Sequence, residues 1–181
     1  MKWIEFRKNA TLVIVSLVLS LFAGEMAVRF YLFGSNGLSP AKMTSQNKKR
    51  WSELIQISQD TTVYYELRPN LDTKYKFKNF KTNSEGLNDK DYSFEKPDCT
   101  VRVAVIGDSF TMGWGIEREE IYLEVLEEKL NIRSDSLKYE FINFGVGGYN
   151  FQNYIGVMEK KVLKYSPDFI LIGFFLVSAI G

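Results

Sequence analysis

The sequence predicts an α/β fold built around a parallel sheet. Residues 101–106 form a short apolar run, rich in β-branched residues, that ends at Gly107 and precedes a helical pattern. A second such strand is predicted over 139–144 and a third over 168–176, with one predicted helix in each interval. Strands that are apolar on both faces and separated by helices are typical of a parallel sheet covered by helices.

Composition excludes several classes of protein. The 181 residues allow one modest domain with an extension. The 23 basic and 22 acidic residues leave the chain nearly neutral, which argues against a nucleic-acid partner. The single cysteine, Cys99, excludes an internal disulfide and a cysteine-based metal cluster, and we expect neither metal nor cofactor. The sequence contains no histidine.

The N-terminal segment predicts a membrane anchor. Residues 1–9 are basic, and an apolar segment follows over 10–33, interrupted by Glu25 and Arg29. A cleaved signal peptide, an uncleaved signal anchor and a buried helix compete as interpretations. The basic N-terminus disfavours a buried helix, and the poor cleavage site favours an anchor. Basic residues before the span place residues 1–9 in the cytoplasm and the rest in the periplasm or outside the cell.

Residues 34–80 are predicted to form a juxtamembrane linker and a small extension. The part up to residue 50 is polar and ends in a basic run. A short amphipathic helix is predicted over 51–57, and strands over 63–65 and 74–80.

Two helices connect the three predicted core strands. The first is amphipathic from Leu123 to Leu130, and we interpret its acidic face as solvent-exposed. The second is predicted from Phe151 to Tyr165, with Ile155 and Leu163 among the residues on its inner face. A sheet of only three strands would leave the third as an open apolar edge.

The ends of the first two strands carry the candidate site. Gly107 is expected to allow a sharp turn, after which the Ser109 hydroxyl can project into a cleft as a nucleophile. The competing interpretation is that Asp108 and Ser109 cap the following helix. After the second strand, Gly148 offers a backbone N–H that an oxyanion can approach closely, although a plain glycine-rich turn before a helix explains the same residues.

Three segments around these residues resemble the SGNH (GDSL-type) hydrolases. Gly107-Asp-Ser-Phe-Thr-x-Gly-x-Gly115 resembles block I of that family, and Asn143-Phe-Gly-Val-Gly-Gly-Tyr-Asn150 resembles block II. Residues 82–87, Thr-Asn-Ser-x-Gly-Leu, resemble a segment that precedes block I in membrane-anchored bacterial members, many of which have arginine where this chain has Asn88. The resemblance covers about residues 82–176.

This resemblance implies a fold, an activity and a set of residue roles. The fold would be a flavodoxin-like three-layer α/β/α domain, of which residues 81–181 form a part with about three core strands. Ser109 would be the nucleophile and an oxyanion donor, Gly148 a second donor, and Gly107 and Asp108 supporting residues. The activity would be that of an acyl esterase outside the cytoplasmic membrane, acting on acylated cell-surface polysaccharide or lipid.

The chain departs from the family pattern in two respects. Val177 or Ser178 stands where block III has an asparagine that donates to the oxyanion, and the Asp and His of block V are missing. A serine without a base is a poor nucleophile, and losing one oxyanion donor costs about 100–1,000-fold in rate. We therefore expect a truncated or frameshifted, inactive relative. The alternative is a non-catalytic, membrane-anchored binding or scaffold module with a partial SGNH fold.

Overall fold

A computed structural model describes residues 2–39 and 51–174, which fall into two compact units, 1–47 and 48–181. In the first unit, helix α1 runs from Lys2–Phe33 and a 3₁₀ turn follows over Gly34–Leu38. Trp3–Leu32 contains an 18-residue window with a mean hydropathy of 2.1, and the helix is long and apolar enough to cross a membrane. The ion pair between Arg29 Nε and Glu25 Oε1, at 2.6 Å, reduces the cost of both charges near such a span.

The second unit begins with a helical turn and two antiparallel hairpins. These elements are α2 Trp51–Leu54, β1 Ile55–Ile57, β2 Tyr65–Leu67, β3 Asp72–Tyr75 and β4 Lys78–Lys81. The helix predicted over 51–57 is therefore half helix and half strand. The single strand predicted over 74–80 is a hairpin, because Lys76 and Phe77 form a two-residue turn with φ of 51° and 68°. Positive φ at both central residues is what such a turn requires.

A three-stranded parallel sheet forms the centre of this unit, which confirms the predicted α/β class. Its elements are β5 Thr100–Gly107, α3 Ser109–Met112, α4 Tyr122–Arg133, β6 Lys138–Asn143, α5 Phe151–Lys160 and β7 Phe169–Gly173. The strand order is β6-β5-β7, and both neighbours run parallel to β5. Val103 packs with Leu123 of α4, whereas Ala104 packs in a separate core cluster that contains Tyr154 of α5.

The predicted extension contributes to this core. Leu54, Val63, Leu67 and Phe80 are each at most 4% exposed and belong to the same cluster as Ala104 and Ile106 of β5. The boundary predicted at residue 80 falls inside the compact unit. The last helix was predicted too long, because α5 ends at Lys160 and a 3₁₀ turn covers Val162–Tyr165. Ile155 and Leu163, predicted to face inward, are exposed.

Side chains close the outer edge of β6. Three of them each accept a 2.8 Å hydrogen bond from a backbone N–H of this edge: Asn131 from Tyr139, Glu127 from Phe141, and Asp89 from Asn143. They occupy the positions that a further strand would need. Glu127 is only 9% exposed. The prediction of a solvated acidic face on α4 is therefore wrong for this residue.

Among the described residues, the edge of β7 has no such cover. Within residues 2–39 and 51–174, no hydrogen bond reaches the side of β7 that faces away from β5. Phe169, Leu171 and Ile172 are 59%, 49% and 48% exposed. The described part of the sheet thus has one closed edge and one open, apolar edge.

Near their amino ends, β5 and β6 are joined by a buried ion pair, and the backbone beside it bonds to the residue before β7. Arg102 is fully buried, and its Nη2 and Nε donate to Glu140 Oε2 at 2.7 and 3.0 Å. Its Nη1 donates to the Tyr165 carbonyl at 2.8 Å, and its backbone N–H donates to Asp168 Oδ2 at 2.7 Å. Burial opposes ionisation of Glu140, but the hydrogen bonds from Arg102 and Lys138 hold its pKa below the usual value.

We predict that Arg102→Met destabilises the second unit by about 3–5 kcal/mol, because it leaves Glu140 buried without its partner. Urea unfolding in detergent, followed by tryptophan fluorescence, measures the loss. The matched control is Lys81→Met, which breaks an exposed pair with Asp72 at 2.9 Å and is expected to cost about 0–1 kcal/mol. Equal costs for the two variants would contradict the assignment of a central role to Arg102.

Candidate active site

The two residues after β5 have different roles. Asp108 is the N-cap of α3, and its carboxylate accepts a hydrogen bond from the Phe110 N–H at 2.9 Å. Ser109 is the first residue of α3 and is half-buried. Its hydroxyl makes no hydrogen bond to any residue that the structure describes. The capping interpretation therefore holds for Asp108 and does not account for Ser109.

Gly107 is required by close packing. Its φ lies outside the left-handed region, so a positive φ is not the reason that this position needs glycine. A Cβ here would lie 2.0 Å from Thr111 Oγ1 and 2.9 Å from the Gly173 carbonyl oxygen. The missing side chain allows the ends of β5 and β7 to approach the first turn of α3.

Gly148 lies in the loop between β6 and α5. Its φ is 83°, and an added Cβ would lie 2.8 Å from Tyr65 Oη. Because β5 and β6 are adjacent and parallel, Ser109 and Gly148 both follow the carboxyl ends of neighbouring strands. Within the described residues, no backbone hydrogen bond uses the N–H of either one.

Two asparagine amides hold α3, one from the end of β6 and one from the segment between β4 and β5. Asn143 donates to the Thr111 carbonyl at 2.8 Å and accepts from the Gly145 N–H at 2.9 Å. Asn88 donates to the Met112 carbonyl at 2.8 Å. Both asparagines are buried. The sequence did not predict a role for either amide, although each asparagine stands directly beside an apolar, buried residue.

Two tyrosines attach the same loop to β2. The Tyr65 hydroxyl donates to the Gly147 carbonyl at 2.9 Å, and the Tyr149 hydroxyl donates to the Tyr65 carbonyl at 2.6 Å. Burial raises the pKa of both phenols, so both remain neutral donors. The hairpin of the extension therefore fixes the backbone next to Gly148.

A buried carboxylate supports the site from the β6 edge. Asp89 is 3% exposed and accepts hydrogen bonds from the N–H groups of Asn143 and Lys90 and from the Tyr92 hydroxyl. Burial raises the pKa of Asp89 to about 7, although the hydrogen bond from Asn143 opposes the rise. Lys90 lies beside it and pairs with Glu127.

A cleft of about 370 Å³ opens beside Ser109. It is lined by Ser109, Phe110, Gly113, Trp114 and Ile116. The loop after β6 borders the same wall, because a Cβ on Gly147 would lie 2.8 Å from the ring of Trp114. The arrangement places the Ser109 hydroxyl and two backbone N–H groups, unpaired among the described residues, at the ends of adjacent strands.

Other parts of a hydrolase site are not found among these residues. The sequence has no histidine to act as a base. Val177 and Ser178, predicted at the position of a third oxyanion donor, lie outside the described residues. Within residues 2–39 and 51–174, no group of three or more His, Cys, Asp or Glu side chains is placed to hold a metal ion.

Compared with known proteins, the chain matches no family model, and no curated protein matches it significantly. Any functional assignment therefore rests on the motifs and on the geometry of the site.

We predict that Gly148→Ala destabilises the protein more than Gly115→Ala. Both glycines have left-handed backbone, with φ of 83° and 79°, so both variants carry a conformational cost of about 1–2 kcal/mol. Only Gly148 adds a contact with Tyr65 Oη, since a Cβ on Gly115 would have its nearest neighbour at 3.7 Å. Urea unfolding of both variants measures the difference. Equal costs would show that Tyr65 does not confine this loop.

We predict that the stability of the parent relative to Asp89→Asn rises as the pH falls from 8 to 5. The folded-state pKa of Asp89 is raised, so the carboxylate destabilises the fold when ionised and this cost disappears on protonation. The free energy of unfolding changes by about 1.4 kcal/mol for each unit by which folding raises the pKa of Asp89.

The control for this prediction is Asp91→Asn. Hydrogen bonds from Ser84 lower the pKa of the exposed Asp91, so its contribution changes only below the ordinary carboxyl range. Its difference from the parent should be flat between pH 5 and 8. A flat profile for Asp89→Asn as well would contradict the assignment.

Proposed function

We propose that this chain carries the nucleophile and oxyanion groups of a membrane-anchored, SGNH-type ester hydrolase on a flavodoxin-like three-layer domain. The observation that carries the proposal is the Ser109 hydroxyl, which has no hydrogen-bond partner among the described residues and lines a cleft at the end of a central parallel strand. The motif around Gly148, at the end of the adjacent strand, supports the same assignment.

The proposed reaction begins with attack of Ser109 Oγ on the carbonyl carbon of an ester. The N–H groups of Ser109 and Gly148 donate to the carbonyl oxygen as it gains negative charge. The bond to the leaving alcohol then breaks, the acyl group remains on Ser109, and the hydroxyl proton passes to a base. Water releases the acyl group as a carboxylic acid in a second step.

The sequence does not supply the usual base, which is a histidine. With no histidine among 181 residues, the chain on its own is expected to show no useful turnover of esters. The absence of histidine favours the second candidate, a non-catalytic, membrane-anchored module that binds acylated cell-surface polysaccharide or lipid through this cleft.

We predict that imidazole, supplied as an external base, promotes acetylation of Ser109 by p-nitrophenyl acetate. The full-length protein in detergent is incubated with the ester at increasing imidazole concentration. Peptide mapping by mass spectrometry then gives the acetylated fraction of Ser109. We expect a fraction at least tenfold above that of Ser134, a half-buried loop serine in the same sample.

The control variant is Ser109→Ala, which should lose the imidazole-dependent burst of p-nitrophenolate while keeping the uncatalysed background. Acetylation of Ser109 at the level of Ser134 would rule out the hydrolase proposal and leave the binding module.

The proposed location is a single-pass anchor with the N-terminus in the cytoplasm and the second unit outside. Cys99 is the only cysteine and is exposed, so it reports the orientation directly. We predict that a membrane-impermeant maleimide labels the protein on intact cells, that Cys99→Ser abolishes labelling, and that the protein stays in the membrane after carbonate extraction. Labelling only after lysis would reverse the orientation.

A further inference from the structure

A tight turn carries the proposed oxyanion donor, Gly148. Residues 146–149 are closed by a hydrogen bond from the Tyr149 N–H to the Val146 carbonyl at 3.2 Å. The φ of Gly148 is 83°, whereas that of Gly147 is not positive. This combination of signs at the two central residues is that of a type II turn, which favours glycine at the second of them. The N–H of Gly148 belongs to the peptide between these two residues.

The orientation of this peptide decides where the donor points. Type I and type II turns differ by a rotation of about 180° of the central peptide, which exchanges the sides on which its C=O and N–H lie. Because both central residues are glycine, no Cβ opposes the rotation. The peptide is trans, so its C=O and N–H point in opposite directions. A group that holds the Gly147 carbonyl therefore also fixes the direction of the Gly148 N–H.

Tyr65 supplies that group. Its hydroxyl donates to the Gly147 carbonyl at 2.9 Å. Burial raises the pKa of the phenol, so the hydroxyl keeps its proton and remains a donor at neutral pH. The hydrogen bond also polarises the peptide, which makes the Gly148 N–H a stronger donor.

Tyr65 is itself held in place. It lies in β2, where it pairs with Ile57 of β1. Its carbonyl accepts a hydrogen bond from the Tyr149 hydroxyl at 2.6 Å, and the two rings meet edge to face with centroids 5.3 Å apart. The turn peptide is therefore oriented before any substrate arrives, and preorganised donors are the ones that stabilise an oxyanion effectively.

The other side of the turn packs against Trp114. A Cβ on Gly147 would lie 2.8 Å from its ring. That ring packs in turn against those of Trp51 and Tyr75, with centroids 5.3 and 5.2 Å apart. The position of the turn is thus fixed by several contacts, whereas the orientation of its central peptide depends on the hydroxyl of Tyr65.

We propose that Tyr65 is a positioning residue, whose hydroxyl holds the peptide between Gly147 and Gly148 so that its N–H faces the oxyanion. Without this hydrogen bond, the peptide also takes the flipped orientation, in which a carbonyl oxygen replaces the N–H and repels the developing negative charge. This role rests on the proposed function, because it acts on a reaction at Ser109. The orientation of the peptide is a separate property, which is measured without any ester.

The orientation is tested by nuclear magnetic resonance of the full-length protein in detergent micelles. Gly147-Gly148 is the only pair of adjacent glycines in the 181 residues. Glycine labelled with ¹³C at the carbonyl and with ¹⁵N, incorporated by cell-free synthesis, therefore gives one carbonyl-to-nitrogen correlation, which comes from this peptide. Tyr65→Phe should move its ¹³C signal upfield, because a carbonyl that loses a hydrogen bond becomes more shielded. 3-Fluorotyrosine at the same position, a stronger donor, should move it downfield.

The reaction at Ser109 provides the second readout. Imidazole-dependent acylation of Ser109 is compared for p-nitrophenyl acetate and for the analogue with sulfur in place of the carbonyl oxygen. Sulfur is a weak hydrogen-bond acceptor, so a well-directed N–H accelerates the oxygen ester far more. Tyr65→Phe should reduce the oxygen-to-sulfur rate ratio about tenfold, which is less than the cost of deleting a donor. A loss of folded protein lowers both rates equally and leaves the ratio unchanged.

Tyr149→Phe is the matched control. It removes a hydroxyl from the same loop and one hydrogen bond, but the acceptor is the Tyr65 carbonyl and not the turn peptide. It should keep the parent's Gly147 carbonyl shift and at least half of the parent's rate ratio. An effect equal to that of Tyr65→Phe would overturn the proposal, because any loosening of the loop would then be sufficient. Urea unfolding identifies any variant that has lost its fold.

The two readouts separate this role from the proposed function. If Ser109 of the parent acetylates but the rate ratio does not respond to Tyr65→Phe, the positioning role fails and the hydrolase proposal stands. If Ser109 of the parent does not acetylate, the hydrolase proposal fails. An upfield shift in Tyr65→Phe then still supports the orienting hydrogen bond, whereas an unchanged shift overturns it as well.

Discussion

The position of Arg102 is the constraint on which the rest of the sheet depends. A buried guanidinium is tolerated only with complete pairing, and it donates to Glu140 in β6 and to the carbonyl of Tyr165. The backbone N–H of the same residue donates to Asp168, just before β7. Arg102 lies opposite Glu140 only in the observed register of β5 and β6, so the pair fixes that register. The carboxyl ends of the strands, where Ser109 and Gly148 follow, are placed by the same register.

The site is assembled by backbone contacts that depend on small residues. Gly107, Gly145 and Gly147 each have a neighbour closer than a Cβ allows, and together they bring β5, α3 and the loop after β6 into direct contact. Buried amides then hold this arrangement through hydrogen bonds to backbone carbonyls, as Asn143 and Asn88 do. The extension contributes as well. The Tyr65 hydroxyl donates to the loop after β6, and the ring of Trp51 packs against that of Trp114. The geometry near Ser109 is thus determined by residues that take no part in the proposed chemistry.

Apolar periodicity was sufficient to predict the three parallel strands, the helices between them and the long N-terminal helix, because burial on both faces leaves a continuous pattern in the sequence. It was insufficient where polar groups decide the outcome. Glu127 has the pattern of an exposed face, yet it is buried because a backbone N–H of β6 needs an acceptor. The hairpin at Lys76 and Phe77 was missed because neither residue is a usual one for positive φ. Ser109 and Gly148 were recognisable from their motifs, whereas the cleft wall depends on Trp51 and Tyr75, which are distant in sequence.

The closed edge of β6 has a consequence for assembly. A sheet with two open edges can add copies at both ends and grow without limit, as fibres do. Here Asn131, Glu127 and Asp89 block one end. In the described part of the sheet, a further strand, from the same polypeptide or from another copy, therefore has only β7 to pair with. Self-association through that edge would stop at a pair, because the two strands would satisfy each other. These three side chains therefore limit self-association of the sheet to a finite complex. Loss of their hydrogen bonds would open the second edge, and the sheet could then grow into a polymer.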